Sequence, residues 1–190
     1  MDALMIGLIV GGFILLIFGF WFFSTWNRLV RLEENANKSW ADIDVLLKQR
    51  YDMIPNLVNI VKGYAEHERE IFEQFALARQ TAAGCLAQGD VKGVGAAEGM
   101  LSGLMPKINM VAEQYPDLKA DTSFVNLQNQ LVALENQLAD RREFYNASST
   151  NFNSAIQMIP TNFVAATKGC MRKDLFVVEC VQRENVQISF

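Results

Sequence analysis

Leu4 to Phe23 reads LMIGLIVGGFILLIFGFWFF, 20 residues without one charged side chain. At 1.5 Å per residue a helix of that length is about 30 Å long, the thickness of a bilayer's hydrocarbon core. A cleaved signal peptide would need a basic flank, a shorter apolar stretch and small residues at the cleavage site. The flank here is Met1-Asp2-Ala3, and bulky Trp21, Phe22, Phe23 and Trp26 stand where cleavage would fall. Aromatic side chains of that kind belong to an interfacial belt, so the stretch reads as an uncleaved anchor. Arg28, Arg31 and Lys38 follow it and nothing basic precedes it. The positive-inside rule then sets the N-terminus outside and the C-terminal domain in the cytoplasm. Gly7 and Gly11 form a small-xxx-small pair within the span, which either brings two anchors into close packing or reflects the frequency of glycine in membrane helices.

Outward from the anchor, Leu29, Leu32, Ala36, Trp40, Ile43, Leu47 and Ile54 keep steps of three and four, predicting a helix that continues out of the membrane. Pro55 lacks an N–H and disfavours helical angles at Ile54, so either a kink or a true turn is expected there, with the apolar flanks favouring a kink. The stripe resumes with Leu57, Ile60, Val61, Tyr64, Ile71, Phe75 and Ala78. Gly84 to Gly103 holds 6 of the 12 glycines. Its first half reads as a flexible connection, followed by a weaker helix from about Ala96 to Tyr115, bent or divided near Pro106. The last helix carries a seven-residue beat, from Phe124 through Leu131, Leu138, Tyr145 and Phe152 to Ile159, ending at Pro160. Asp121, Thr122 and Ser123 are its N-cap candidates. At about 55 Å it needs equally long neighbours to cover its apolar face. Leu175-Phe176-Val177-Val178 is β-prone and predicts a short strand or an extended strap.

Composition narrows the function classes. A net charge of −4 with no clustered Lys/Arg face speaks against nucleic acid. Cys85, Cys170 and Cys180 are too widely spaced for a zinc or redox motif and read as free thiols of a reducing compartment, with one disulfide and one free thiol as the alternative.

The run from Trp40 to Val58, WADIDVLLKQRYDMIPNLV, resembles the signature of the bacterial LemA family, as does Val61-Lys62-Gly63-Tyr64-Ala65-Glu66-His67-Glu68. Tyr115-Pro116-Asp117-Leu118-Lys119-Ala120, Tyr145-Asn146 and Ile159-Pro160-Thr161-Asn162 extend the likeness over nearly the whole chain. The resemblance implies an N-terminally anchored, four-helix up-and-down core in a bacterial inner membrane. It brings no activity, although some relatives are associated with building or organising bacterial membranes. The glycine-rich stretch and Pro106 depart from the family pattern.

No side-chain set reads as catalytic, cofactor-binding or metal-binding. His67 has Glu66, Glu68 and Glu70 nearby, but neighbouring residues on a helix point apart, so a solvated charged face is the better reading. Asp44 and Asp52 lie about two turns apart, too far to act as a pair. Arg50, Tyr51, Asn56, Lys62 and Tyr64 cluster around Pro55. They are either a partner-docking surface or a hydrogen-bond network for the backbone groups that Pro55 frees.

The expected architecture is therefore all-α: an anchor over 1–26, an antiparallel four-helix bundle over 27–160 and a tail over 161–190. The expected function is a non-enzymatic scaffold in the membrane that self-associates and organises lipid or protein partners. An adaptor for a membrane protease or signalling complex and, more remotely, a metal-dependent hydrolase compete with it. Phe163 to Lys173 mixes apolar and basic residues and is a candidate for contact with lipid headgroups.

Overall fold

Apolar positions recurring every three, four and seven residues determine the first helix. Leu29, Ala36, Ile43, Leu47, Ile54, Leu57 and Val61 are all buried, and they share one face of a helix, α1, that runs without a break from Ala3 to Tyr64. The computed structural model describes residues 3–65 and 67–178. Within them all regular structure is helical: α2 spans Arg69–Gln88, α3 Val91–Gln114, α4 Pro116–Ala120, α5 Thr122–Ala155 and α6 Thr161–Lys168. The first 18 residues of α1 from Met5 have a mean hydropathy of 2.5 and none of them is buried, so among the described residues one helix is long and apolar enough to cross a membrane.

The chain divides into two compact units. One comprises Met1–Ser39 with Asn146–Lys173, the other Trp40–Tyr145 with Asp174–Phe190. In the first, α1 and the end of α5 run in opposite directions: Ser39 meets Ser148 at 3.4 Å, and Leu29 shares a small core with Ala155, Val164 and Ala165. Asn153 completes this unit by mimicking a backbone pair, donating to the Lys173 carbonyl and accepting from the Lys173 N–H at 2.8 Å each. The core of the second unit draws on α1, α2, α3 and α5, with Leu47, Leu57, Phe75, Leu101, Ile108 and Phe124 wholly enclosed.

Pro55 lies inside α1, which rules out the turn of the two readings. Several expectations need correction. Pro106 lies inside α3, which is undivided and starts at Val91 instead of near Ala96. The glycine-rich stretch is not a flexible connection. Only Gly89 and Asp90 join α2 to α3; Gly89 is left-handed at φ 69°, the conformation glycine adopts without a Cβ penalty, and Asp90 caps α3 through the Gly93 N–H. Gly93 and Gly95 are small because neighbours approach them. A Cβ on Gly93 would meet the Asp90 carboxylate and the Cys85 sulfur, and one on Gly95 would lie 2.1 Å from the Val177 carbonyl oxygen.

The last long helix keeps its seven-residue beat, with Phe124, Leu131, Leu138, Tyr145 and Phe152 all buried, and Asp121 caps it by accepting from the N–H groups of Ser123 and Phe124. It stops at Ala155, short of Pro160, and Ile159 is exposed instead of joining the stripe. Residues 161–168 of the expected tail form α6. Leu175 to Val178 forms no strand. It is the extended strap, lying over helices where no strand edge offers a ladder. Phe176 packs on Trp40, the Tyr145 hydroxyl donates to the Asp174 carbonyl at 2.8 Å, and Lys92 pairs with Asp174. Cys85 and Cys170 are free thiols, while Cys180 lies outside the described residues.

Two glycines of α3 should respond with opposite sign to the same change. Gly95→Ala forces the strap away and should destabilise the protein by about 1–3 kcal/mol. Gly103→Ala, whose Cβ meets nothing within 4 Å, should stabilise it by about 0.5–1 kcal/mol through helix propensity. Thermal melts of the full-length variants in detergent check both.

Candidate functional site

Burying a charge requires a partner. On α1 the buried positions Ile43 and Leu57 flank Arg50 at seven-residue intervals, so the helix carries Arg50 into the core, where it is 4% exposed. On α3 the buried Val94 and Leu101 bracket Glu98 on one face, and that residue is 3% exposed. The two meet at 2.7 Å through Arg50 Nη1 and Glu98 Oε2. Arg50 Nη2 reaches Ser102 at 3.5 Å and the half-exposed Glu135 of α5 at 3.6 Å.

Tyr51 is also buried. Its hydroxyl lies close enough to Glu98 to feel the carboxylate, yet neither it nor Glu98 Oε1 meets hydrogen-bond geometry. Burial, reinforced by Glu98, pushes the Tyr51 phenol far above its ordinary range. Burial also raises Glu98, outweighing the opposing pull of Arg50. The cavity that Arg50, Glu98, Ser102, Glu135, Arg142 and Phe176 line measures about 10 Å³, room for a single water and not for an organic substrate.

The proline beside this cluster is served by a residue that sequence reasoning did not single out. In an α-helix the Tyr51 carbonyl accepts from the N–H four residues on, and Pro55 has none. Arg79 of α2 supplies the missing donor: its Nε lies 2.6 Å from the Tyr51 oxygen. A basic residue just after the apolar stripe Ile71, Phe75, Ala78 was the available signal, but its pairing with a carbonyl 28 residues away was not readable.

The remaining candidates are not gathered with Arg50 and Tyr51. Asn56 is exposed. Lys62 is exposed, stands 5.4 Å over the Phe72 ring and borders a shallow groove with Arg69, Glu73 and Ala76. The Tyr64 hydroxyl donates to Asp121 at 2.9 Å, tying the end of α1 to the cap of α5. Asp121 is held below the usual carboxylate range by the Phe124 N–H first and by Tyr64 next. His67 is exposed, and no three metal-ligating side chains gather among the described residues. Gly7 and Gly11 face open space: a Cβ on either meets nothing within 4 Å.

A helical protein with one membrane-length N-terminal helix and an internal Arg–Glu pair is thus the class that fold and site define. This chain belongs to the LemA family, whose model matches residues 39–190. It is similar to magnetosome protein MamQ 2 of Paramagnetospirillum magneticum, at 26% identity over 175 residues, covering 80% of this chain and 64% of that protein. It is similar to magnetosome protein MamQ of Magnetospirillum gryphiswaldense, at 23% identity with the same coverage. Protein LemA of Metamycoplasma hominis is 25% identical over 91% of this chain and 78% of its own length. The chain spans just under two thirds of the MamQ proteins it matches.

Three experiments probe the cluster. Arg79→Met should cost about 1.5–3 kcal/mol, the value of a hydrogen bond to a charged group. In a Pro55→Ala background, where residue 55 regains its N–H, the same change should cost markedly less, and a double-mutant cycle by urea denaturation measures the difference. Arg50→Met should cost about 3–5 kcal/mol by stranding Glu98, and adding Glu98→Met should recover most of that loss. Because the folded state holds the Glu98 proton more tightly than the unfolded chain, wild type loses stability as pH rises from the ordinary carboxylate range to the raised value. The melting temperature of Glu98→Gln should gain on wild type through that window and run parallel above it.

Proposed function

We propose that this protein is a non-enzymatic, membrane-anchored scaffold that self-associates and organises lipid or protein partners. The observation that carries the reading is the start of α1, where none of 18 successive apolar residues from Met5 is buried by protein. In water that surface would be a liability, since monomeric soluble proteins rarely expose contiguous apolar patches so large. In a bilayer it is the ordinary surface of a spanning helix. The charged residues nearest the centre of the second unit are occupied with each other around a cavity of about 10 Å³, which favours an architectural role for them over chemistry.

The same reading places the span in a bacterial inner membrane with the helical part cytoplasmic, on the strength of Arg28, Arg31 and Lys38 after it. Trp40–Tyr64 of α1, α2, α3 and the first part of α5 are then the up-and-down four-helix core that the family implies. Self-association is assigned to Gly7 and Gly11, four residues apart and open, where two backbones can approach closely. The adaptor alternative rests on the exposed Asn56, Lys62 and Tyr64, since Arg50 and Tyr51 are turned inward.

The deciding experiment is the mass of the full-length protein in mild detergent beside a Gly7→Leu/Gly11→Leu variant. A discrete wild-type assembly that falls to a smaller species in the variant is expected. An assembly indifferent to both changes would move the interface off the span. A wild-type monomer with no co-purifying partner would end the scaffold reading.

A further inference from the structure

Met158, Ile159 and Phe163 are 61%, 79% and 67% exposed, and all three sit at the corner that joins α5 to α6. Single apolar side chains on a surface are normal, but three on one corner call for a cover. Contacts within the first unit fix where that corner lies along α1. Ser39 faces Ser148, so α5 passes alongside α1 toward the charge-free run, and Ala155 has reached the level of Leu29. Beyond the corner α6 turns back. Its C-terminal Lys168 pairs with Glu33, and Lys173 donates to Asn37 at 2.8 Å, both farther from the span. The other end of α6, with Phe163, is left on the span side, where Trp21, Phe22 and Trp26 pack against the core built on Leu29, Val164 and Ala165.

That level is the end of the apolar run. From Trp21 to Leu29 a helix rises about 12 Å, and the headgroup layer adds roughly 5–8 Å outside the hydrocarbon core. The α1 side chains nearest the corner suit an anionic surface: Arg28 and Arg31 are exposed, Glu33 is paired with Lys168, and the exposed Glu34 lies farther from the span than both arginines.

We propose that Met158, Ile159 and Phe163 seat in the headgroup–acyl boundary of the bilayer that α1 crosses, making the α5–α6 corner a second, interfacial membrane contact. The proposal rests on the reading of α1 as a spanning helix. Apolar tips in the boundary with basic side chains at headgroup level are the pattern of interfacial elements. The contact also removes rotational freedom: α1 alone could turn about its own axis in the membrane, whereas a corner seated to one side fixes which face points where.

Full-length protein reconstituted in phosphatidylcholine/phosphatidylglycerol vesicles tests this through a nitroxide at Phe163→Cys, with Cys85, Cys170 and Cys180 replaced by alanine. Ile14→Cys in the span and Val132→Cys on exposed α5 are the references. The Phe163 label should be relaxed more by oxygen than by a water-soluble nickel chelate, with a depth between the two references. A lipid-exposed Ile14 label beside a Phe163 label as open to nickel as that at Val132 would overturn the proposal while leaving the anchor standing. A Phe163 label shielded from both reagents would mean a protein contact, such as a second copy, and would overturn it too. Nickel access at Ile14 itself would remove the spanning reading and the proposal with it.

Discussion

Every backbone N–H and C=O removed from water must find a partner, and α1 meets that demand over 62 residues in two surroundings. In its first part the helix closes its own hydrogen bonds and leaves only apolar side chains outside, which is why a helix can cross lipid at all. In its later part the same ladder is broken once, at Pro55, in the middle of a packed core. A carbonyl left open there would cost about 1–3 kcal/mol. Arg79 closes the gap from the next helix. The defect in one helix thereby becomes a tie between two that already share an apolar core.

Arg50 and Glu98 extend the same logic from backbone to side chains. A buried ion pair is weak evidence for stability, since apolar residues of like volume often serve as well or better. What such a pair does supply is alignment. Arg50 reaches Glu98 and Ser102 on α3 and Glu135 on α5. Sliding either helix by one turn, about 5.4 Å, would strand at least one charge in an apolar core. Long helices with seven-residue stripes are otherwise prone to slip, because Leu131 and Leu138 offer nearly equivalent seats. The polar cluster distinguishes among them.

How much of this was legible depended on whether the signal was local. A charge-free helix of membrane length, the stripe of α1 and the beat of α5 as far as Phe152 follow from spacing and composition, and Asp121 is the one of three N-cap candidates that caps α5. Arg50 stands out as one of the polar residues clustered around Pro55, but its burial against Glu98 needs the third helix in place. The glycines of α3 were misread for the same reason. Gly95 looks like chain flexibility until the Val177 carbonyl is seen against it, and that neighbour comes from 82 residues away in sequence (177 − 95). Pro106 reads as a bend or a division when propensity is weighed without the packing of Leu101, Leu104 and Ile108, which keep the helix undivided through it. Ile159 fitted a periodic pattern on paper, yet α5 had already ended at Ala155.

The distribution of closing contacts along the chain sets the order in which this fold can be completed. Glu33 and Asn37 of α1 are tied to Lys168 and Lys173, 135 and 136 residues later. Trp40 is covered by Phe176. The entropy of closing such long loops grows only with the logarithm of their length, so these contacts are not thermodynamically expensive to reach. They are late. A helix made first, with its apolar start entering lipid, keeps an uncovered stripe until α6 and the strap have been synthesised. In the meantime α2 and α3 form a local pair across Gly89–Asp90, and Arg79 on α2 and Glu98 on α3 offer α1 its first long-range partners at Tyr51 and Arg50. The polar residues around Pro55 are therefore where the second unit can fix its alignment before its C-terminal cover arrives.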